Sequence, residues 1–231
     1  MIPFRDHNPS DKFPIVTVIL IATNVLVFLF QLSLQASGQL EPFIMEWAVV
    51  PADITNNPNT QELLTLISAM FMHGGFAHIG GNMLYLWIFG DNVEARLGSV
   101  LYLVFYLLCG LAASFAQIAI DPNSTIPNLG ASGAIAGVLG AYLITFPRAR
   151  VDTYVPRRGT VAVSAIIVLG FWFILQLFNG VASIATVGGA ETGGGVAYWA
   201  HAGGFVAGMI LMAISSMAMG KPLPATTPAR T

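Results

Sequence analysis

Six apolar stretches separated by polar connections set the frame of this 231-residue chain: Ile15–Leu34, Ile79–Phe89, Val100–Ile120, Ala131–Phe146, Val161–Phe178 and Trp199–Met219. A helix crossing a bilayer needs ~20 predominantly apolar residues. The second stretch reaches that length only if it begins near Ala77 or earlier. The fourth is also short, which places its N-terminus below the membrane surface. The pattern predicts an all-α membrane protein of six transmembrane helices over residues 15–219. A short N-terminal segment, residues 1–14, precedes the bundle, and a polar, proline-containing tail, residues 220–231, follows it and reads as disordered.

Composition removes the soluble alternatives. Only 9% of residues are charged and 55% are hydrophobic, whereas soluble domains carry about 25% charged residues. The positions of the charges then orient the chain. Arg5 and Lys12 precede span one, and Arg96 lies between spans two and three. Arg148, Arg150, Arg157 and Arg158 lie between spans four and five, and Lys221 and Arg230 follow span six. These are all nine basic residues, and the other three connections hold none. By the positive-inside rule both termini are expected in the cytoplasm, in what reads as a prokaryotic plasma membrane. No cleavable signal peptide is apparent.

The outer connections differ in character. Residues 35–72 contain Trp47, Pro51, Pro58 and the pairs Leu63-Leu64 and Leu66-Ile67, which predicts an interfacial structure that is part amphipathic helix. Residues 180–198 are glycine-rich and expected to be mobile. They lack the Gly-Lys-Ser/Thr ending of a phosphate loop, and neither a nucleotide nor a nucleic acid is an expected partner. Cys109 is the single cysteine, so no intrachain disulfide forms.

Chemistry concentrates at one depth. Spans two, four and six run in the same direction, and His78, Asn82, Ser132 and His201 all fall toward their outer ends. Intramembrane ionisable groups are costly and face the bundle interior or a water-filled cavity. Gly133 and Gly137 in span four, and Gly204 and Gly208 in span six, are small-xxx-small pairs that allow close helix approach. Packing those two stripes face to face would bring His201 to Ser132. A serine beside a base is a nucleophile, and His78, Asn82 and the N–H of Ser132 could donate to an oxyanion. Taken singly, Ser132 reads as a packing residue, His78 as an interfacial ring and Asn82 as interhelical glue. His73 and His78 would diverge by about 140° on a helix, a poor metal pair, so no metal and no cofactor are expected.

The motifs resemble those of rhomboid intramembrane serine proteases. Gly130-Ala131-Ser132-Gly133 matches the family's Gly-x-Ser-Gly, and Ala200-His201-Ala202-Gly203-Gly204 with Gly208 matches the motif of its last helix. His78-Ile79-Gly80-Gly81-Asn82 matches His-xxx-Asn, His73 a further histidine, and Glu94-Ala95-Arg96-Leu97-Gly98 matches Glu-x-Arg-x-Gly. The resemblance implies a six-helix rhomboid-like bundle with a long interfacial first outer loop. It also implies a Ser132–His201 dyad without a carboxylate and an oxyanion site at His78, Asn82 and Ser132. The implied activity is an endopeptidase that cuts transmembrane segments of other membrane proteins near the outer face. Its partners are then transmembrane substrates within the lipid bilayer. Two positions depart from the family pattern: Leu64-Thr65 stands where Trp-Arg is frequent, and Ala136 where many members carry a tyrosine stacked on the histidine.

Two other readings compete. A catalytically inactive relative would bind membrane clients without cutting them, but such relatives lack the serine or histidine, and this chain has both. A transporter would show inverted repeats and polar residues crossing the membrane, and neither pattern is evident.

Overall fold

The computed structural model describes residues 2–8, 10, 12–186 and 197–224. The glycines at 188–195, for which mobility is expected, and residues 225–231 of the tail 220–231, for which disorder is expected, lie outside the described residues. Residues 220–224 of that tail are described, and the Lys221 N–H donates to the Ser216 carbonyl at 2.9 Å. The chain forms α1 (Ile15–Ala36), α2 (Leu40–Trp47), α3 (Pro51–Asn56), α4 (Thr60–Ser68), a 3₁₀ turn (Ala69–Phe71), α5 (Phe76–Leu97), α6 (Ser99–Ile120), α7 (Ser132–Thr145), α8 (Ala165–Thr186) and α9 (Tyr198–Ala218). The described residues also form three short strands, β1 (Ile2–Asp6), β2 (Arg150–Val155) and β3 (Gly159–Ser164). The predicted all-α membrane architecture is borne out, with one small sheet added at its margin.

Among the described residues four helices are long and apolar enough to cross a membrane: α1, α6, α8 through Ser183, and α9. Helix α5 qualifies together with α4 and the 3₁₀ turn, from which it is bent by 79°. Helix α7 is shorter. Its 14 residues rise about 21 Å, against a hydrocarbon core of roughly 30 Å. The exposed faces of α1, α6 and α8 carry Leu26, Leu29, Phe30, Val104, Leu108, Ile166, Phe171 and Ile174, an apolar coat suited to lipid.

Helix α7 is the axis of the bundle. Every residue from Gly133 to Tyr142 is buried, because α5, α6, α8 and α9 all pack against it. The glycine stripes meet as expected. A Cβ placed on Gly204 would collide with the carbonyl of Gly133, one on Gly208 with that of Gly137, and one on Gly140 with that of Phe205. Backbone touches backbone along this seam, so the relative placement of α7 and α9 is fixed by main chain.

Three boundaries differ by more than three residues from the apolar pattern, one being the end of α8, which runs to Thr186, eight residues past Phe178 and into the connection read as mobile. Helix α5 continues past Phe89 to Leu97 because its last turns bury polar groups that find partners. The Glu94 carboxylate accepts from the N–H groups of Val16 (3.0 Å) and Thr17 (2.8 Å), and from the hydroxyls of Thr17 (2.9 Å) and Ser99 (2.7 Å). It thereby caps the first turn of α1, which has no capping side chain of its own. Gly98 follows at φ 84°, a conformation that favours glycine, and the chain turns there directly into α6. Helix α8 begins at Ala165, four residues later than the apolar run, because Val161–Ser164 belong to β3. β2 pairs antiparallel with β3 and with β1, in the order β1-β2-β3.

The first long connection is helical and anchored. Val49, Leu66, Ala69 and Ile118 form a separate apolar cluster, and Ser68 Oγ donates to the Trp47 carbonyl at 2.7 Å. Thr65, one of the two residues in place of Trp-Arg, is buried.

Candidate active site

Ser132 opens α7, where the first N–H groups have no partner within the helix. The irregular segment ahead of it, residues 121–131, is held by main-chain bonds to the first connection. Val49 and Asn128 exchange N–H···O bonds at 3.0 and 2.8 Å, and the N–H of Gly130 donates to the Ala69 carbonyl at 2.8 Å. Irregular backbone at membrane depth is tolerated only where protein buries it or it lines a cavity, and here protein supplies its partners. Gly130 has φ 131°, and a Cβ there would lie 2.8 Å from the His78 ring. Conformation and space both select glycine at this position.

His201 lies in the first turn of α9, directly across the glycine seam. Its Nε2 and the Ser132 Oγ are 2.7 Å apart. Its Nδ1 faces Oε1 of Gln176 on α8 at 2.8 Å. An amide oxygen only accepts, so Nδ1 carries the proton and Nε2 accepts from the Ser132 hydroxyl. The ring also packs against the Trp172 indole, with centroids 5.8 Å apart.

His78 and Asn82 come from α5. The Gly74 N–H donates to His78 Nδ1 at 3.3 Å, which leaves Nε2–H free as a donor. Asn82 Nδ2 lies 2.9 Å from Nε2 of His73. His73 is pinned in turn: its N–H donates to Gln31 Oε1 at 2.9 Å and its carbonyl accepts from Gln31 Nε2 at 3.2 Å. The helical divergence expected between His73 and His78 does not arise. His73 lies in the break ahead of α5, and the two rings meet edge to face with centroids 5.0 Å apart. Among the described residues no group of three or more His, Cys, Asp or Glu side chains could hold a metal.

Ser132, His201, His78 and Asn82 line one cavity of about 700 Å³, together with Trp172, Gln176 and Ala136. The structure thus brings together all four residues singled out in the sequence. Sequence reasoning missed Gln176 and Trp172, although Gln176 is the one amide in the apolar run Ile166–Phe178.

Fold and cavity define a polytopic integral membrane protein with a serine–histidine pair set inside its helix bundle. The chain belongs to the rhomboid family: the Rhomboid domain matches residues 60–218. It is 33% identical over 164 residues to Rhomboid protease GluP of Bacillus subtilis, covering 71% of this chain and 31% of that protein. Rhomboid protein 1, mitochondrial, of Saccharomyces cerevisiae is 32% identical over 154 residues, 64% of this chain and 40% of the relative. Presenilin-associated rhomboid-like protein, mitochondrial, of Homo sapiens is 31% identical over 147 residues, 62% and 36% respectively. The chain therefore spans less than half the length of each of these relatives.

Proposed function

We propose that this chain is an intramembrane serine endopeptidase acting on transmembrane segments of other membrane proteins, with Ser132 as nucleophile and His201 as general base. The observation that carries this reading is the 2.7 Å approach of Ser132 Oγ to His201 Nε2 on the wall of a cavity large enough for a peptide segment. Nε2 takes the hydroxyl proton as Oγ attacks the scissile carbonyl, then returns it to the leaving amine. His78 Nε2–H, an Asn82 amide N–H and the N–H of Ser132 stabilise the oxyanion. Water then hydrolyses the acyl-enzyme with His201 again as base. The name of the Bacillus subtilis relative, a rhomboid protease, supports the same class of reaction. The test is labelling of the detergent-solubilised protein with a fluorophosphonate. Wild type is expected to label and Ser132→Ala not. Equal labelling of the two would remove Ser132 as nucleophile.

The orientation is part of the proposal. Arg96 donates to the Pro222 carbonyl at 2.8 Å and Lys221 to the Arg96 carbonyl at 2.7 Å, so these basic residues share one end of the bundle. That end is read as cytoplasmic, the bilayer as a prokaryotic plasma membrane, and cleavage as occurring near the outer face. A cysteine at Arg157 in a Cys109→Ala background is expected to react with an impermeant thiol reagent only from the cytoplasmic side. Reaction from outside would invert the assignment.

A further inference from the structure

We infer that Gln176 and Trp172 of α8 are positioning residues for His201, an inference that rests on the dyad reading above. A neutral imidazole exists as two tautomers, and only the one with its proton on Nδ1 can accept the Ser132 hydroxyl proton at Nε2. Three helices meet at this ring: α9 carries it, α7 brings the hydroxyl to Nε2, and α8 brings the Gln176 carbonyl oxygen to Nδ1 at 2.8 Å. An acceptor at Nδ1 selects the competent tautomer and fixes the ring about its χ angles. In serine hydrolases a carboxylate does this work; here a neutral amide occupies the same place relative to the imidazole.

The second contact limits the remaining freedom. A hydrogen bond at each ring nitrogen still permits the ring to rock about the line joining its partners. Trp172 stands four residues before Gln176, one turn away on the same face of α8. Its indole lies against the imidazole at 5.8 Å between centroids, tilted by 36°. The indole is itself held, 6.0 Å from the Phe205 ring. On α7 the residue that could have supplied an aromatic wall is Ala136, a methyl group on the same cavity. The wall therefore comes from α8. An amide in the apolar middle of a lipid-facing helix is costly without a partner, and His201 is the partner it has.

The experiment compares wild type, Gln176→Leu, Gln176→Glu, Trp172→Ala and Ser132→Ala by fluorophosphonate labelling rate and by kcat and KM on a reconstituted transmembrane substrate. Thermal unfolding identifies variants that fold. Gln176→Leu, which suits an apolar helix, is expected to lower the labelling rate and kcat on the order of 10-fold or more while KM stays within about two-fold. Gln176→Glu, which keeps an acceptor oxygen, is expected to recover most of that loss. Trp172→Ala is expected to lower kcat in the same KM-neutral way. Labelling of Gln176→Leu at the wild-type rate, or equal losses in a folded Gln176→Glu, would overturn the positioning role and leave the dyad standing. Failure of wild type to label at Ser132 would remove the dyad and this inference together.

Discussion

The hydroxyl of Tyr142 donates to Oδ2 of Asp6 at 2.7 Å, joining residues 136 positions apart. Asn92 Nδ2 donates to the same oxygen at 3.0 Å, so β1, α5 and the far end of α7 meet at one carboxyl. Burial pushes the Asp6 carboxyl above its ordinary value, and the bonds from Tyr142, the Asn8 backbone and Asn92, with nearby His7, offset this only in part. The folded state thus holds a proton at Asp6 more tightly than the unfolded chain. That contribution to stability is fully present below the ordinary value of 3.8 and is lost as pH rises through the raised value. Asp6→Asn is expected to gain thermal stability relative to wild type as pH rises from about 4 to 8. Melting curves across that range check it; a difference that is constant or shrinks with pH would contradict it.

The glycine seam gives a contrast between two similar substitutions. Gly208→Ala drives a methyl into the Gly137 carbonyl and is expected to cost about 1–3 kcal/mol, with loss of fluorophosphonate labelling as His201 moves from Ser132. Gly170→Ala on α8 meets nothing within 4 Å and is expected to be neutral or to stabilise by up to about 1 kcal/mol. Unfolding in mixed micelles, read by thermal melts, ranks the pair. Equal effects would mean the seam is looser than backbone contact.

Removing the Glu94 carboxylate strands the donors it serves at the start of α1 and at Ser99. Leaving a buried donor unsatisfied costs about 1–3 kcal/mol, and Glu94→Ala leaves several. A drop in unfolding free energy of at least about 2 kcal/mol is expected, larger than that of Glu94→Gln, which keeps one acceptor oxygen. Identical melting of Glu94→Ala and wild type would show that water or a rearranged helix start replaces the cap.

Asn82→Ala is expected to lower kcat by up to about 10²-fold with KM nearly unchanged, the signature of a lost oxyanion donor. His78 and the Ser132 N–H remain, which limits the loss. A raised KM at unchanged kcat would assign Asn82 to docking or to support of His73, which it contacts at 2.9 Å.

Much of this was legible because membranes make sequence patterns coarse. The six apolar runs and the two glycine stripes locate α1, α5, α6, α7, α8 and α9 and the α7–α9 seam, and four polar residues at a common depth mark the cavity. The hidden parts have specific causes. Residues 90–97 of α5 are too polar to read as a span, since Asn92 and Glu94 are stabilised by partners distant in sequence. Strands β2 and β3 are six residues each, and Val161–Ser164 of β3 adjoins the apolar start of α8, so the pattern merges them. Gln176 carried a signal, an amide in an apolar run, but which helix it faced depended on packing that no periodicity in α8 encodes.

The pairing of β1 with β2 also fixes an order of events during synthesis. β1 leaves the ribosome before its partners: Tyr142 on α7 follows Asp6 by 136 residues, and the strand Arg150–Val155 comes later still. At 5–20 residues per second this is an interval of roughly 7–27 s. Throughout it α1 through α6 can insert while β1 has no strand beside it. Closure of the sheet is therefore a late step, because it joins β1 to a segment translated only after Ser132.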